Sequence, residues 1–230
     1  MKAEYIDHMG DDQSIVRAAR VSFAADCRVK KIDILYSEDI LEQRKKDTGL
    51  LRYLATHKHW TPFAHTAITL RVTAPVPIRT QCFKHKQGFV ENEESRRYIR
   101  SEPTFFFPKF REKVKNKKQG SGSSFSYIKQ THLEGIYREA MEDAKLTYEY
   151  LLAQDVCEEQ ARFVLPQGTE VNWYWTGSLA AFARFAKQRM DSHAQLEIQE
   201  LATEINDIIA PLFPIAWAQL VGDLNEKTKS

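Results

Sequence analysis

The sequence predicts one α+β domain, with a mixed or antiparallel sheet flanked by long helices. Three observations predict it. Two short segments, 66–74 and 170–177, alternate apolar and polar residues with the period of a half-buried strand. Much longer stretches, Tyr127 to Leu152 and Gly177 to Gly222, carry apolar residues at helical spacing. No internal repeat divides residues 1–230, and that length with 43% hydrophobic content suits one sizeable core.

In order along the chain, Asp11 or Asp12 offers an N-cap for a first helix that carries Ile15, Ala18, Ala19 and Ser22 and ends near Phe23. After a charged stretch, Asp47-Thr48-Gly49 breaks the pattern, and a short helix resumes with Leu50, Leu51 and Leu54 on one face. Ile68, Leu70 and Val72 then alternate with Thr69, Arg71 and Thr73 in a strand closed by Pro75 and Pro77. Pro77 suits the first turn of a helix whose stripe is Ile78, Gln81, Cys82 and His85, with Gly88 as its exit. Phe89 to Phe107 is irregular and reads as a structured loop entering a short strand at the TFFFP run. Residues 109–124 mix cations with Gly and Ser, the composition of a long mobile loop. Ile128, Leu133, Ile136, Ala140 and Ala144 mark a long helix, and a shorter one ends at Pro166. Val171, Trp173 and Trp175 alternate in a second strand, and the remainder is helical with a stop at Pro211.

Thirty-three Lys plus Arg against 31 Asp plus Glu leave a net charge of +2, so attraction to a polyanion would have to come from local patches. No apolar run approaches the ~20 residues that span a bilayer, and the amino terminus lacks a secretion-type apolar stretch, so a cytoplasmic protein that does not enter membranes is expected. Three widely spaced cysteines, Cys27, Cys82 and Cys157, make neither a disulfide frame nor a zinc cluster.

The segment RTQCFKHKQGFVENEESRRYIR gathers Arg79, Lys84, His85, Lys86, Arg96, Arg97 and Arg100 with Asn92, Glu93 and Ser95 among them. A nucleic-acid surface wants cations with few carboxylates. A pocket for a phosphorylated metabolite wants cations for phosphate plus a carboxylate and an amide to read the base, and the mixture here fits that pattern better. Composition alone leaves open a solvated charged face.

In its surroundings this segment resembles the signature of the flavin-dependent thymidylate synthases, an Arg-His-Arg triplet followed by Asn-Glu-x-Ser-x-Arg-Tyr. The second half is intact from Asn92 to Tyr98, the first reads Lys84, His85, Lys86, and the upstream Gln81 is present. Arg17 to Phe23, the His-x-Thr-Pro-Phe-x-His pattern from His59 to His65, Ala161 to Pro166 and Arg189 to Gln195 agree in order and spacing. Three departures stand out. Lysines replace both arginines of the triplet, and a lysine holds phosphate as a point charge without the planar fork. The spacer to Asn92 is one residue longer than the commonest form, and Phe89-Val90 stand where a serine is usual.

The resemblance implies an FAD-dependent enzyme that methylates dUMP to dTMP, with methylenetetrahydrofolate as one-carbon donor and NADPH as reductant, and that releases tetrahydrofolate. It implies dUMP contacts at Gln81, Lys84, Glu93, Ser95, Arg97, Arg162 and Arg189. FAD contacts are implied at Ser22, Thr61, Lys84, His85, Lys86, Glu93, Ser178, Ala180 and Arg184, and His59 is implied near flavin and folate. Arg189 is the expected catalytic residue, because a cation beside uracil favours its ionised, electron-rich form. The other reading of Arg189 is a surface arginine paired with Asp191. A Rossmann glycine motif is absent, so side chains must supply charge for the dinucleotide.

His57, His59 and His65 could be metal ligands, but they lack nearby cysteine or clustered aspartate, and no metal is expected. His193, four residues beyond Arg189, either shares its helix face or is a buried, hydrogen-bonded histidine. Cys82 reads as a small apolar core residue and not as a nucleophile. Trp60, Trp173, Trp175 and Trp217 read as core or subunit contacts. The resemblance further implies a homotetramer with shared sites and no nucleic-acid partner.

Overall fold

The structure, a computed structural model, describes residues 1–21, 37–114 and 120–222. Four antiparallel strands form one sheet in the order β1-β2-β4-β3, with β1 Lys2–Met9, β2 Ala67–Pro75, β3 Phe89–Glu93 and β4 Glu170–Gly177. The helices are α1 Asp12–Arg20, α2 Ser37–Thr56, α3 Val76–Phe83, α4 Tyr127–Ala153, α5 Glu158–Ala161, α6 Leu179–Arg189, α7 Leu196–Ile209 and α8 Pro214–Val221.

The alternation read in β2 and β4 decides which sheet face is covered. Leu70 sits opposite Trp175 and Val72 opposite Trp173, all four buried, in one core cluster with Phe182, Phe185, Ile198 and Trp217 from the carboxy-terminal helices. The opposite face is polar: Thr69 bonds Thr176 through their hydroxyls at 2.9 Å, Thr73 donates to Asn172, and Arg71 pairs with an exposed Tyr174. Asp11 is the N-cap of α1, accepting from the Ser14 amide in a capping box. Asp12 ties α1 to α8 by accepting from the first amides of that helix, Ile215 and Ala216. The expected helix end near Phe23 lies outside the described residues.

Five expectations change. The helix does not break at Asp47-Thr48-Gly49: α2 runs straight through, because Asp47 is a buried acceptor for Arg20, Gln13 and Gln43 and ties α2 to α1. That outweighs the roughly 1 kcal/mol propensity cost of one glycine. Residues 2–9 are an unforeseen edge strand. Phe89–Glu93 is a strand and not a loop, held by backbone pairing to β4 and by the Phe89 ring stacked on Trp175. The stripe of α3 stops at Phe83, where Lys84 and His85 close the last turn onto Gln81 and Cys82 carbonyls. The helical stretch after Gly177 breaks at 190–195 as well as before Pro214, giving three helices where two were expected.

Candidate functional site

The site is organised by two junctions, the turn after α3 and the end of α6. Gly88 makes the first possible: its φ of +78° strains any other residue and a would-be Cβ would crowd Ala181 at 3.1 Å, so the chain leaves the Lys84–Lys86 turn flush against α6. Arg184 donates to the Gln87 carbonyl, and Ser178 caps α6 through the Ala181 amide. Arg189, in the last turn of α6, thereby meets His85: its Nε donates to His85 Nε2 at 2.9 Å.

That contact fixes the chemistry of both groups. Burial, with Arg189 and Arg184 nearby, pushes His85 down to about 4, so near neutral pH the ring is uncharged, accepts at Nε2 and carries its proton on Nδ1. The ring is also held edge-on by Phe185 at 5.1 Å. A neutral acceptor orients the Arg189 guanidinium without neutralising it. Arg189 thus has a partner on the turn after α3 in addition to the Asp191 pairing that its position also allowed. Because the folded value lies below the ordinary one, His85 contributes stability that is complete above about pH 6.5 and is lost as pH falls towards 4. In His85→Gln, which can still accept from Arg189, the melting-temperature gap to the wild type should narrow between pH 7 and 4; a constant gap would contradict the assignment.

Three cavities take up the residues singled out in the sequence. The first, about 1060 Å³, has apolar walls including Leu54, Trp60, Phe63 and Phe89; His59, Ser178, Ala180 and Arg184 line it, with Lys58 and Lys187 as further cations. Trp60 is 60% exposed there and is not core, whereas Trp173, Trp175 and Trp217 are buried. Thr61 begins the adjoining 3-10 turn Pro62–Ala64. The second, about 410 Å³, holds Glu93, Ser95 and Arg162 together with Arg79. The third, about 1160 Å³, holds Gln81 and Arg189 with the 192–196 loop and residues of the 111–122 segment.

Other expected residues lie nearby without sharing one cavity. Lys86 pairs with Glu91, while Lys84 is exposed and makes no ion pair among the described residues. Arg97 pairs with Glu159 at 3.2 Å, and Ser95 accepts from the Arg97 amide. Ser22 lies outside the described residues. His193 neither shares the face of Arg189 nor is buried: α6 has ended, and the ring is 92% exposed and bonded to Asp191. Sequence reasoning left Arg79 without a role. Its Nε lies 3.1 Å from Glu93 Oε2, without hydrogen-bond alignment, and together with Arg162 it counters the burial that raises the Glu93 carboxyl. The only signal was its place in the cationic cluster.

Cys82 is fully buried, and burial pushes its thiol up to about 12, which removes thiolate chemistry at neutral pH. Cys82→Ala should therefore keep turnover within a few-fold of wild type. A loss of ~10³-fold in a folded variant, the scale of deleting an essential group, would overturn this.

A family model, thymidylate synthase complementing protein, matches residues 4–215. A flavin-dependent thymidylate synthase of Thermosipho melanesiensis is 35% identical over 211 residues, covering 91% of this chain and 85% of the relative. One of Thermus thermophilus is 32% identical over 214 residues, covering 93% and 73%. Among solved structures, a UMP/dUMP methylase, PolB from Streptomyces cacaoi, bound with 5-Br dUMP, superposes with a TM-score of 0.80 at 29% identity, covering 95% of this chain and 93% of that one. The match along most of the chain settles the family: this chain belongs to the thymidylate synthase complementing protein family, the flavin-dependent thymidylate synthases.

Proposed function

We propose that this chain converts dUMP to dTMP, with FAD as cofactor and methylenetetrahydrofolate and NADPH as co-substrates. The observation that carries the reading is Arg189, oriented by the His85 ring at the cavity it shares with Gln81. Bound flavin supplies the hydride. The protein's work is positioning and charge. Arg189 stabilises negative charge developing on uracil and so raises electron density at C5, the carbon that is methylated. Glu93, Ser95 and Arg162 bind dUMP from a second cavity, with Arg97 beside them and Arg79 keeping Glu93 in register. The first cleft fits a flavin: its apolar walls suit a flat ring, and Arg184, Lys58 and Lys187 suit an anionic diphosphate. Thr61, Ser178, Ala180 and His59 border it, while Lys84, His85 and Lys86 supply the neighbouring turn.

The functional form is a homotetramer in which facing copies complete each site. Two features support this. Of the residues proposed for dUMP, Glu93, Ser95 and Arg162 line one cavity of the chain while Gln81 and Arg189 line another. Helix α4, 27 residues long, buries only Met141 and Tyr148 and leaves Tyr127, Ile128, Ile136 and Leu146 exposed, a face that a second copy would cover. Among the described residues no helix is long and apolar enough to cross a membrane.

The test is the visible spectrum of purified protein titrated with FAD, followed by dUMP. Saturable flavin binding whose spectrum responds to dUMP is expected; protein that takes up no flavin at any concentration would sink the reading.

A further inference from the structure

Helix α7 begins with Glu197 in its first turn, buried, and its carboxylate is met by Arg111 from the 109–114 segment, at 2.8 Å to Oε1 and 3.0 Å to Oε2. The segment is itself held in place: Arg111 bridges to Ser124 in the backbone, and its Nε donates to Ser121. Gln195 Nε2 donates to Glu197 Oε2 at 2.8 Å, and Gln81 Nε2 donates to Gln195 Oε1 at 2.7 Å. Arg111, Glu197, Gln195 and Gln81 thus form one hydrogen-bonded line along the wall of the cavity holding Arg189, which Arg111, Gln195 and Gln81 all border.

The direction of this line is set by charge. A carboxylate only accepts, so Gln195 must turn its amide NH2 towards Glu197 and its carbonyl towards Gln81. Gln81 must then use its own NH2 on Gln195. Its carbonyl oxygen is left as the acceptor for whatever occupies the cavity.

We infer that Glu197, fixed by Arg111 and acting through Gln195, is a positioning residue that orients the Gln81 amide and thereby selects a nucleobase edge that donates a hydrogen bond. Uracil presents N3–H, a donor. Cytosine presents N3 as an acceptor, which would face the Gln81 oxygen unpaired. A site with a fixed polar partner rejects the mismatched edge far more strongly than a shape-matched apolar pocket can. The inference rests on the reading that Gln81 meets dUMP.

Glu197→Gln gives the sharpest test. Arg111 would hold the new carbonyl, so the new NH2 would face Gln195 and reverse both glutamines, leaving Gln81 to present NH2 to the cavity. Gln195→Met breaks the line without exposing a buried charge, which keeps the test usable should the first variant misfold. With flavin-loaded enzyme, dUMP and dCMP dissociation constants are measured for both variants and the wild type. Glu197→Gln should weaken dUMP by about tenfold or more and shift the dUMP-to-dCMP preference towards dCMP, and Gln195→Met should reduce the preference without reversing it. An unchanged preference in both folded variants would overturn the inference, as would equal weakening of dUMP and dCMP, the mark of a merely structural contact. Were Gln81→Ala to leave dUMP affinity untouched, the underlying nucleotide reading would fall with it.

Discussion

Arg189→Ala should lower turnover at saturating dUMP by ~10³-fold, the order found when one group aimed at developing charge is removed from an enclosed site. The size of the effect follows from its setting. Neutral His85 holds the guanidinium without quenching its charge, and no other cation from α6 lines that cavity. Flavin content should be unchanged, since the residues bordering the first cleft are intact. Lys84→Ala should be milder, because Lys86 shares its turn and its charge. Equal turnover defects in the two variants, at equal flavin content, would count against this division of roles.

A mixture of Arg162→Ala and Arg189→Ala should recover activity that neither variant has. On one chain these residues line different cavities. If facing copies complete each site, a mixed tetramer contains some sites that draw both intact residues from different chains. Dissociation, mixing and reassociation should return a sizeable fraction of wild-type turnover. Mixed tetramers that stay inactive would place both residues on one chain at each site.

How far these features can be read in advance depends on what holds each in place. The strands β2 and β4 announce themselves because one face of each is buried against helices and the other is polar. An edge strand such as β1 has no such contrast: only Ala3 is buried along Lys2–Met9, so its pairing with β2 is carried by the backbone. For β3 the difficulty is similar, since Val-Glu-Asn-Glu is polar and its anchor, Phe89, lies at one end. Asp47 looked like a helix breaker because its three partners come from residues 13, 20 and 43, two of them on another helix.

The candidate site divides the same way. Ordered blocks around Gln81, Asn92–Tyr98, Arg162 and Arg189 point to nucleotide chemistry through their resemblance to a family signature. The contacts that tune those groups are long-range, Arg189 to His85 over 104 positions and Gln81 to Gln195 over 114, and no local pattern encodes them. The break after Arg189 carries no proline or glycine, and it displaces His193 from the face that uninterrupted helical spacing assigned to it.

The most direct measurement is dTMP formation by the purified, FAD-loaded protein given dUMP, methylenetetrahydrofolate and NADPH, with each component omitted in turn. The complete mixture should give dTMP and tetrahydrofolate, any single omission should abolish product, and product should persist in Cys82→Ala but not in Arg189→Ala. No dTMP from the complete mixture with flavin demonstrably bound, or undiminished dTMP from flavin-free protein, would contradict the proposed activity.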